Sequence, residues 1–179
     1  AKNKAIKPGL HDDIPKPEKC GYATTADHSI YGDDEQSRPG DQNSCVIQDR
    51  KHVWLRAYAS KTKNAHDTKL AFARFFGPHQ PHGFQPYVYT DGSKEFAKAL
   101  YDLGYTHDTS TRYRPQSNGV AERAVRRVKE GTSCALVQSG FTYEWWVEAQ
   151  DYFCFMFCVN DKMSDGFTPY QSRFLTDFK

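Results

Sequence analysis

Hydrophobic and polar residues alternate along short stretches of the chain, as expected for half-buried β-strands. The clearest case is VWLRAYAS at residues 53–60, where aliphatic residues occupy the odd-numbered positions. Residues 21–30 and 44–49 contain β-branched and apolar residues, and YVYT at 87–90 runs into an Asp-Gly turn. Together with residues 105–110, these segments predict five strands, of which the first three form a meander.

Apolar residues recur at intervals of three and four in four further segments, which predicts helices over residues 64–76, 93–103, 119–138 and 144–160. The residues predicted to face the core are Leu70, Phe72, Ala73 and Phe76 in the first helix, Phe96, Leu100 and Leu103 in the second, and Val120, Ala124, Val125, Val128, Ala135 and Leu136 in the third. Strands that alternate with helices in this way predict an α/β fold.

The length of 179 residues suits one domain. Residues 1–19 are polar and rich in Pro and Lys, which predicts an N-terminal arm or linker. Residues 20–179 are therefore predicted to form the single core domain. No apolar run approaches the length of a membrane span, so no membrane partner is expected.

The five cysteines are an odd number with no tight pairing pattern, which indicates reduced thiols and an intracellular protein. Cys154 and Cys158 are one helical turn apart among aromatic residues and are predicted to lie in the core. Cys20 together with His11 does not make a zinc site. The histidines His79 and His82 have the spacing of ordinary loop residues rather than of metal ligands.

Charge is distributed unevenly although the net charge is only +2. Residues 27–49 hold six acidic residues against one arginine, a local charge of −5. Residues 112–130 hold six basic residues against two acidic ones, a local charge of +4. This asymmetry fits a metal-binding zone beside a phosphate-binding surface, and equally fits two solvated faces.

The segment TSTRYRPQSNGVAERAVRRVKEG, residues 109–131, places one early acid, Glu122, among many bases. A carboxylate inside a surface that attracts polyanions needs a counter-charge, and a metal ion would supply one. The order Ser110-Thr111, Tyr113, Pro115-Gln116, Asn118-Gly119 and Glu122-Arg123 resembles the segment that carries the third catalytic acid in the integrase core of retroviruses and retrotransposons. The resemblance extends more weakly over residues 20–175.

This resemblance implies an RNase H-like fold, with a mixed sheet of about five strands, flanking helices and a single domain. The predicted order of strands and helices is the one that this fold requires. The resemblance also implies phosphoryl transfer on DNA that depends on two Mg²⁺ or Mn²⁺ ions. Hard cations of this kind prefer oxygen ligands, chiefly carboxylates.

Three acids occupy the places of the family's catalytic and metal-binding residues. Glu122 lies in the matching motif, and Asp91 lies in TDGSKEF, which is similar to the family's segment around its second acid. Asp27 lies in the first predicted strand, and only TADH and the strand pattern support its assignment; Asp33 and Asp34 are rivals in a turn-rich loop. Asp91 and Glu122 are separated by 30 residues, fewer than in retroviral members.

The polar residues around Glu122 are candidates for binding nucleic acid. Arg112, Tyr113, Arg114, Gln116 and Asn118 belong to the loop, where they could follow a DNA backbone. Arg126 and Lys129 share the helix face of Glu122 and could hold phosphates. Arg123 and Arg127 point elsewhere and are predicted to support packing or a partner.

The sequence therefore predicts a retroelement integrase core that processes DNA 3′ ends and transfers them to target DNA. The implied partners are DNA and further copies of the chain, in a homodimer or larger multimer, and the implied location during function is the nucleus. An alternative from another class is a catalytically silent, domesticated integrase-like domain that binds nucleic acid or other subunits. A different RNase H-like nuclease is a third possibility, which the motif at residues 109–123 disfavours.

Overall fold

The computed structural model describes residues 20–77, 84–109 and 118–178. Five strands are present in the described part, at the positions that the sequence pattern predicts. They are β1 (Thr24–Ile30), β2 (Asn43–Asp49), β3 (Leu55–Ser60), β4 (Tyr87–Thr90) and β5 (Thr106–Thr109).

The strands form one mixed sheet in the order β3-β2-β1-β4-β5. The first three strands are antiparallel neighbours, as expected for a meander. Strands β4 and β5 join on the other side of β1, and both pairings there are parallel. Strand β1 therefore lies at the centre of the sheet, between the antiparallel strand β2 and the parallel strand β4.

Five α-helices are described: α1 (Ala65–Phe76), α2 (Lys94–Leu103), α3 (Gly119–Ser139), α4 (Trp146–Asn160) and α5 (Pro169–Phe174). The four longer helices match the predicted segments. The start of α4 differs from the prediction. Tyr143–Trp145 form a 3-10 turn, and the α-helix begins at Trp146 rather than at Glu144. The short helix α5 was not predicted, although its capping box between Thr168 and Gln171 is a readable signal.

The helices cover the two faces of the sheet. On one face, α1 and α2 pack Phe72, Phe75, Phe96 and Leu100 against strand residues that include Ile47. On the other face, α3 and α4 pack against the strands through a separate cluster that includes Val46, Leu55, Val128, Cys154 and Phe157. The predicted α/β class with a five-strand mixed sheet and flanking helices is confirmed.

The predicted core face of α1 was wrong by about one residue. Leu70 is 46% exposed, whereas Ala71, Phe72 and Phe75 are buried. The Oγ1 atom of Thr68, on the buried stripe, lies 3.1 Å from Nε2 of His28 in β1. This polar contact helps to fix the rotation of the helix, which the apolar spacing alone does not determine.

Smaller differences concern strand starts and the long helix. The first strand begins at Thr24 because Gly21 has φ +80°, and the third begins at Leu55 because Val53 has φ 57°, which is not strand geometry. In α3 the buried positions are Ala121, Ala124, Val128, Thr132 and Leu136, whereas Val120 and Ala135 are only half-buried.

Cys154 and Cys158 are buried, as predicted. Among the described helices, none is long and apolar enough to cross a membrane.

Candidate active site

Asp27 and Asp91 lie side by side at one end of the sheet. The parallel register pairs Thr24 with Val88 and Thr25 with Tyr89, so continuing it places Asp27 level with Asp91, the first residue after β4. Side chains of a strand point alternately to opposite faces. Because Ala26 belongs to the cluster under α1 and α2, Asp27 faces the side that α3 and α4 cover.

Glu122 approaches the same side from α3. It lies in the first turn of the helix, with its side chain exposed and near the positive end of the helix dipole, which favours a carboxylate. The buried residue beside it, Ala121, anchors this turn of the helix to the body of the protein. Three separate elements thus supply the three carboxylates.

The charges of Asp91 and Glu122 act on Asp27. The pKa of Asp27 is raised to about 6, chiefly by burial and in part by these two neighbouring carboxylates. The backbone N–H of His28, 2.8 Å from Oδ1, and the ammonium of Lys63 act in the opposite direction. A divalent cation would remove the unfavourable part of this interaction, so the donor set fits one.

The oxygen atoms of the three carboxylates do not all lie close to one another. In the described part of the chain, the only three ligand-type side chains whose donor atoms all lie within 4.8 Å of one another are Cys20, Asp49 and His52. Carboxylates that share one ion must lie within about 4.2 Å, twice the Mg–O bond length. A site for two ions about 3.5–4 Å apart does not require all three carboxylates to bind the same ion.

Hydrogen bonds hold Asp91 in the turn between β4 and α2. Its Oδ1 accepts from the backbone N–H of Ser93 at 3.2 Å, and its carbonyl accepts from Thr90 Oγ1 at 2.7 Å. Since that donation uses the only proton of the Thr90 hydroxyl, His107 Nε2, 2.9 Å away, must be the donor to Thr90. Burial, the main cause, lowers the pKa of His107, which keeps the ring neutral.

Two neighbours of the carboxylates were missed by the sequence analysis. Lys63 precedes α1 and acts electrostatically on both Asp27 and His28. The ring of His28 stacks on Phe96 with 4.3 Å between centroids, and burial, followed by Lys63, lowers its pKa to about 4. The alternation of β1 could have placed His28 on the face opposite Asp27, but no local pattern indicates Lys63.

The predicted DNA-binding residues fall into two groups. Arg112, Tyr113, Arg114 and Gln116 lie outside the described residues, as do His79 and His82. Asn118, Arg126 and Lys129 are described. The Oδ1 atom of Asn118 is buried and has no hydrogen-bond partner among the described residues, while Arg126 and Lys129 are exposed.

Basic residues of α3 differ in what they contact. The Lys129 ammonium lies 5.2 Å from the centre of the Tyr31 ring, which directs it toward the segment after β1. The Arg127 guanidinium lies 4.9 Å from the centre of the Phe157 ring, consistent with its predicted packing role. Arg126 and Lys129 are both exposed, as the sequence analysis required of phosphate-binding residues, and Arg123 is exposed as well.

A second cluster of ligand-type side chains lies at the start of β1. It consists of Cys20, Asp49 and His52, whose donor atoms are mutually within 4.8 Å. The sequence analysis considered Cys20 only with His11 and so did not find this set. Residues 20 and 49 meet because β1 and β2 are antiparallel, which the linear spacing does not reveal.

Solved structures resemble this chain clearly in fold, but their sequences are only weakly similar to it. No protein-family model and no curated protein matches the sequence. The catalytic core domain of BIV integrase is 20% identical over 86% of this chain and 93% of that chain, with a TM-score of 0.60. The HTLV-2 integrase catalytic core domain, in a trimeric form in complex with magnesium, is 15% identical over 88% of this chain and 99% of that chain, with a TM-score of 0.63.

A third similar structure is a chain of the simian T-cell lymphotropic virus intasome in complex with PP2A regulatory subunit B56 gamma. It is 16% identical over 90% of this chain and 57% of that chain, with a TM-score of 0.70. At these identities the likeness concerns the fold. The chain has the fold of retroviral integrase catalytic core domains.

Proposed function

We propose that this chain is the catalytic core of a retroelement integrase, a polynucleotidyl transferase that acts on DNA. The observation that carries the proposal is the meeting of Asp27, Asp91 and Glu122 on one side of an integrase-core fold, with Asp27 influenced by both other carboxylates. The proposed reaction is an in-line displacement at phosphorus, used twice. Water first cleaves a phosphodiester near a DNA 3′ end, and the new 3′-hydroxyl then attacks a phosphodiester of target DNA.

The residues of the chain would divide the work by position. Asp27 lies in β1, Asp91 lies in the turn just after β4, and Glu122 lies in the first turn of α3, and these three would hold the cations. Two Mg²⁺ or Mn²⁺ ions held there would activate the attacking oxygen and stabilise the leaving oxygen. Arg126 and Lys129 would bind phosphates beside the scissile bond, and Asn118 could donate to the DNA from its side-chain amide nitrogen.

The proposed partners are DNA and further copies of this chain, in a homodimer or larger multimer. Two DNA ends must be joined to one target, which a single core cannot hold at once. The comparison structures include an intasome and a trimeric core domain. The corresponding location of the chain during function is the nucleus, and residues 1–19 are proposed to form an arm that precedes the core.

Several aromatic rings in α4 and in the turn before it are covered by the chain itself. Trp146 is fully buried, Phe157 is 5% exposed, and Arg38 lies 3.9 Å from the centre of the Trp145 ring. Exposed apolar side chains instead surround the junction of α3 and α4, among them Phe141 and Tyr152, each 58% exposed. The proposed multimer therefore rests on the two-ended substrate rather than on the aromatic content of α4.

Replacement of Glu122 provides the test of this function. We expect Glu122→Gln to abolish Mg²⁺-dependent joining of a DNA 3′ end to target DNA, because the amide removes one anionic ligand. Glu130→Gln is the matched control, since Glu130 lies two turns further along the same helix and is also exposed. Products are measured on denaturing gels as strands longer than the target. Equal joining by both variants would refute the role of Glu122.

The spread of the carboxylates favours one alternative, a catalytically silent integrase-like domain that binds nucleic acid or other subunits. Their oxygens do not all lie within 4.8 Å, and the spacing between Asp91 and Glu122 is short for the family. Such a domain would bind DNA in the presence of Mg²⁺ with equal affinity before and after Glu122→Gln, and would form no joined product.

A further inference from the structure

The cluster formed by Cys20, Asp49 and His52 has the chemistry of a transition-metal site. Thiolate, imidazole and carboxylate are the ligands that Zn²⁺ takes in proteins, whereas Mg²⁺ and Ca²⁺ take oxygen. All three donor atoms already lie within 4.8 Å of one another. Ligands of a tetrahedral Zn²⁺ lie roughly 3.5 Å apart at ordinary bond lengths, so a contraction of about 1 Å would complete the set.

The Asp49 carboxylate is fully buried and held in place by three backbone N–H groups. Its Oδ1 accepts from Gly21 at 2.6 Å, and its Oδ2 accepts from His52 at 2.6 Å and from Lys51 at 3.1 Å. A carboxylate can accept about four hydrogen bonds, two on each oxygen. With three accepted, one lone pair of Oδ1 remains for a metal ion. Outer hydrogen bonds of this kind orient a metal ligand before the metal arrives.

The imidazole of His52 brings an unpartnered nitrogen to the cluster. Its Nδ1 is buried, lies 3.7 Å from Asp49 Oδ2 and has no hydrogen-bond partner among the described residues. A buried nitrogen without a partner is costly, and coordination would satisfy it.

The thiol of Cys20 completes the set. Burial, followed by the charge of Asp49, raises its pKa to about 11, so it is protonated in the absence of metal and would release its proton on binding. The guanidinium of Arg173 also influences both Cys20 and His52. A thiolate, a carboxylate and Zn²⁺ sum to zero charge, so the bound site adds no net repulsion toward Arg173.

We propose that Cys20, Asp49 and His52 bind one Zn²⁺ ion, with solvent as the fourth ligand. The ion would tie the residues before β1 to the turn between β2 and β3. This site lies at the start of β1, ahead of Asp27, and its ligands differ in kind from those of the proposed catalytic ions. Binding of this ion is independent of the proposed DNA chemistry.

Titration of the metal-free protein with Co²⁺ in excess Mg²⁺ tests the site. We expect one equivalent of Co²⁺ to produce the absorption of a thiolate-cobalt bond, and Zn²⁺ to remove it. Cys20→Ser should lose this band. Cys134→Ser is the matched control and should keep it, because Cys134 is the exposed cysteine of α3, while Cys45, Cys154 and Cys158 are buried.

His52→Gln is the second variant, since its side chain is 16% exposed and the backbone bond to Asp49 is retained. It should weaken Co²⁺ binding by at least about tenfold. Zn²⁺ should also raise the unfolding temperature of the native chain and of Cys134→Ser, but not that of Cys20→Ser. Absence of a thiolate band in the native chain, or its persistence in Cys20→Ser, would overturn the proposal.

Discussion

Asp27 and His28 are neighbours in β1 whose charges respond to acid in opposite ways. The pKa of Asp27 is raised from 3.8 to about 6, so the folded state binds this proton more tightly than the unfolded state does. Its ionisation therefore costs stability as pH rises from 3.8 to 6. The pKa of His28 is lowered from 6.5 to about 4, so its cost appears as pH falls through that range. Between pH 4 and 6, a rise in pH therefore loses stability through Asp27 and regains it through His28, and the two pH dependences largely cancel.

Replacement of either residue should expose the contribution of the other. At pH 7 without metal, we expect Asp27→Asn to be more stable than the native chain by about 1–2 kcal/mol, a value reduced for partial solvent exposure. The gain should disappear below pH 4. His28→Gln should lose less stability than the native chain when pH falls from 6.5 to 4. Urea unfolding at a series of pH values, with chelator present, measures both. Lower stability of Asp27→Asn at pH 7 would contradict the assigned environment.

Residue positions that follow from local pattern could be predicted from the sequence, and those created by the tertiary fold could not. Asp27 was proposed from TADH and the strand pattern around it, and Asp91 from the likeness of TDGSKEF to the family's segment. Lys63 joins them only through the packing of the segment before α1, and Cys20 meets Asp49 only through strand pairing. No spacing in the sequence reports either meeting.

At the level of elements, the approach of α3 to α4 depends on Gly131. A Cβ atom at this position would collide with the ring of Phe153. Gly131→Ala should therefore destabilise the protein by about 1–3 kcal/mol, although alanine favours a helix more than glycine does. Ser133→Ala, at an exposed position of the same helix, should change stability by less than about 0.5 kcal/mol.

Thermal unfolding of these two variants measures the effect. Phe153→Leu combined with Gly131→Ala should recover part of the loss, because the smaller side chain leaves room for the added methyl group. If Gly131→Ala were as stable as the native chain, the two helices would not be held by this contact.

Elements were predicted more reliably than their rotation about their axes. Periodicity located α1 but assigned Leu70 to the core, since several apolar stripes are compatible with its sequence. The bond between Thr68 and His28 selects the observed stripe, and it joins residues 40 positions apart. The missed helix α5 is different, because its Thr168-Pro169 start was present in the sequence.

For the whole molecule, the order of strands and helices predicted the architecture because parallel β4 and β5 require helical connections on the sheet faces. That architecture brings the middle of β1, the end of β4 and the start of α3 together. The proposed zinc ligands lie at the start of β1, where Asp49 pairs with Thr24, three residues before Asp27. The two proposed metal sites share no ligand, so each can be occupied or removed separately.

The most direct test of the carboxylate site is diffraction from crystals soaked in Mn²⁺, using anomalous scattering to locate the ions. The account predicts two Mn²⁺ ions roughly 3.5–4 Å apart, ligated by Asp27, Asp91 and Glu122. Crystals of Glu122→Gln should show loss of at least one ion, and those of Glu130→Gln should show both. Mn²⁺ bound elsewhere, with these three carboxylates unliganded at saturating metal, would contradict the account.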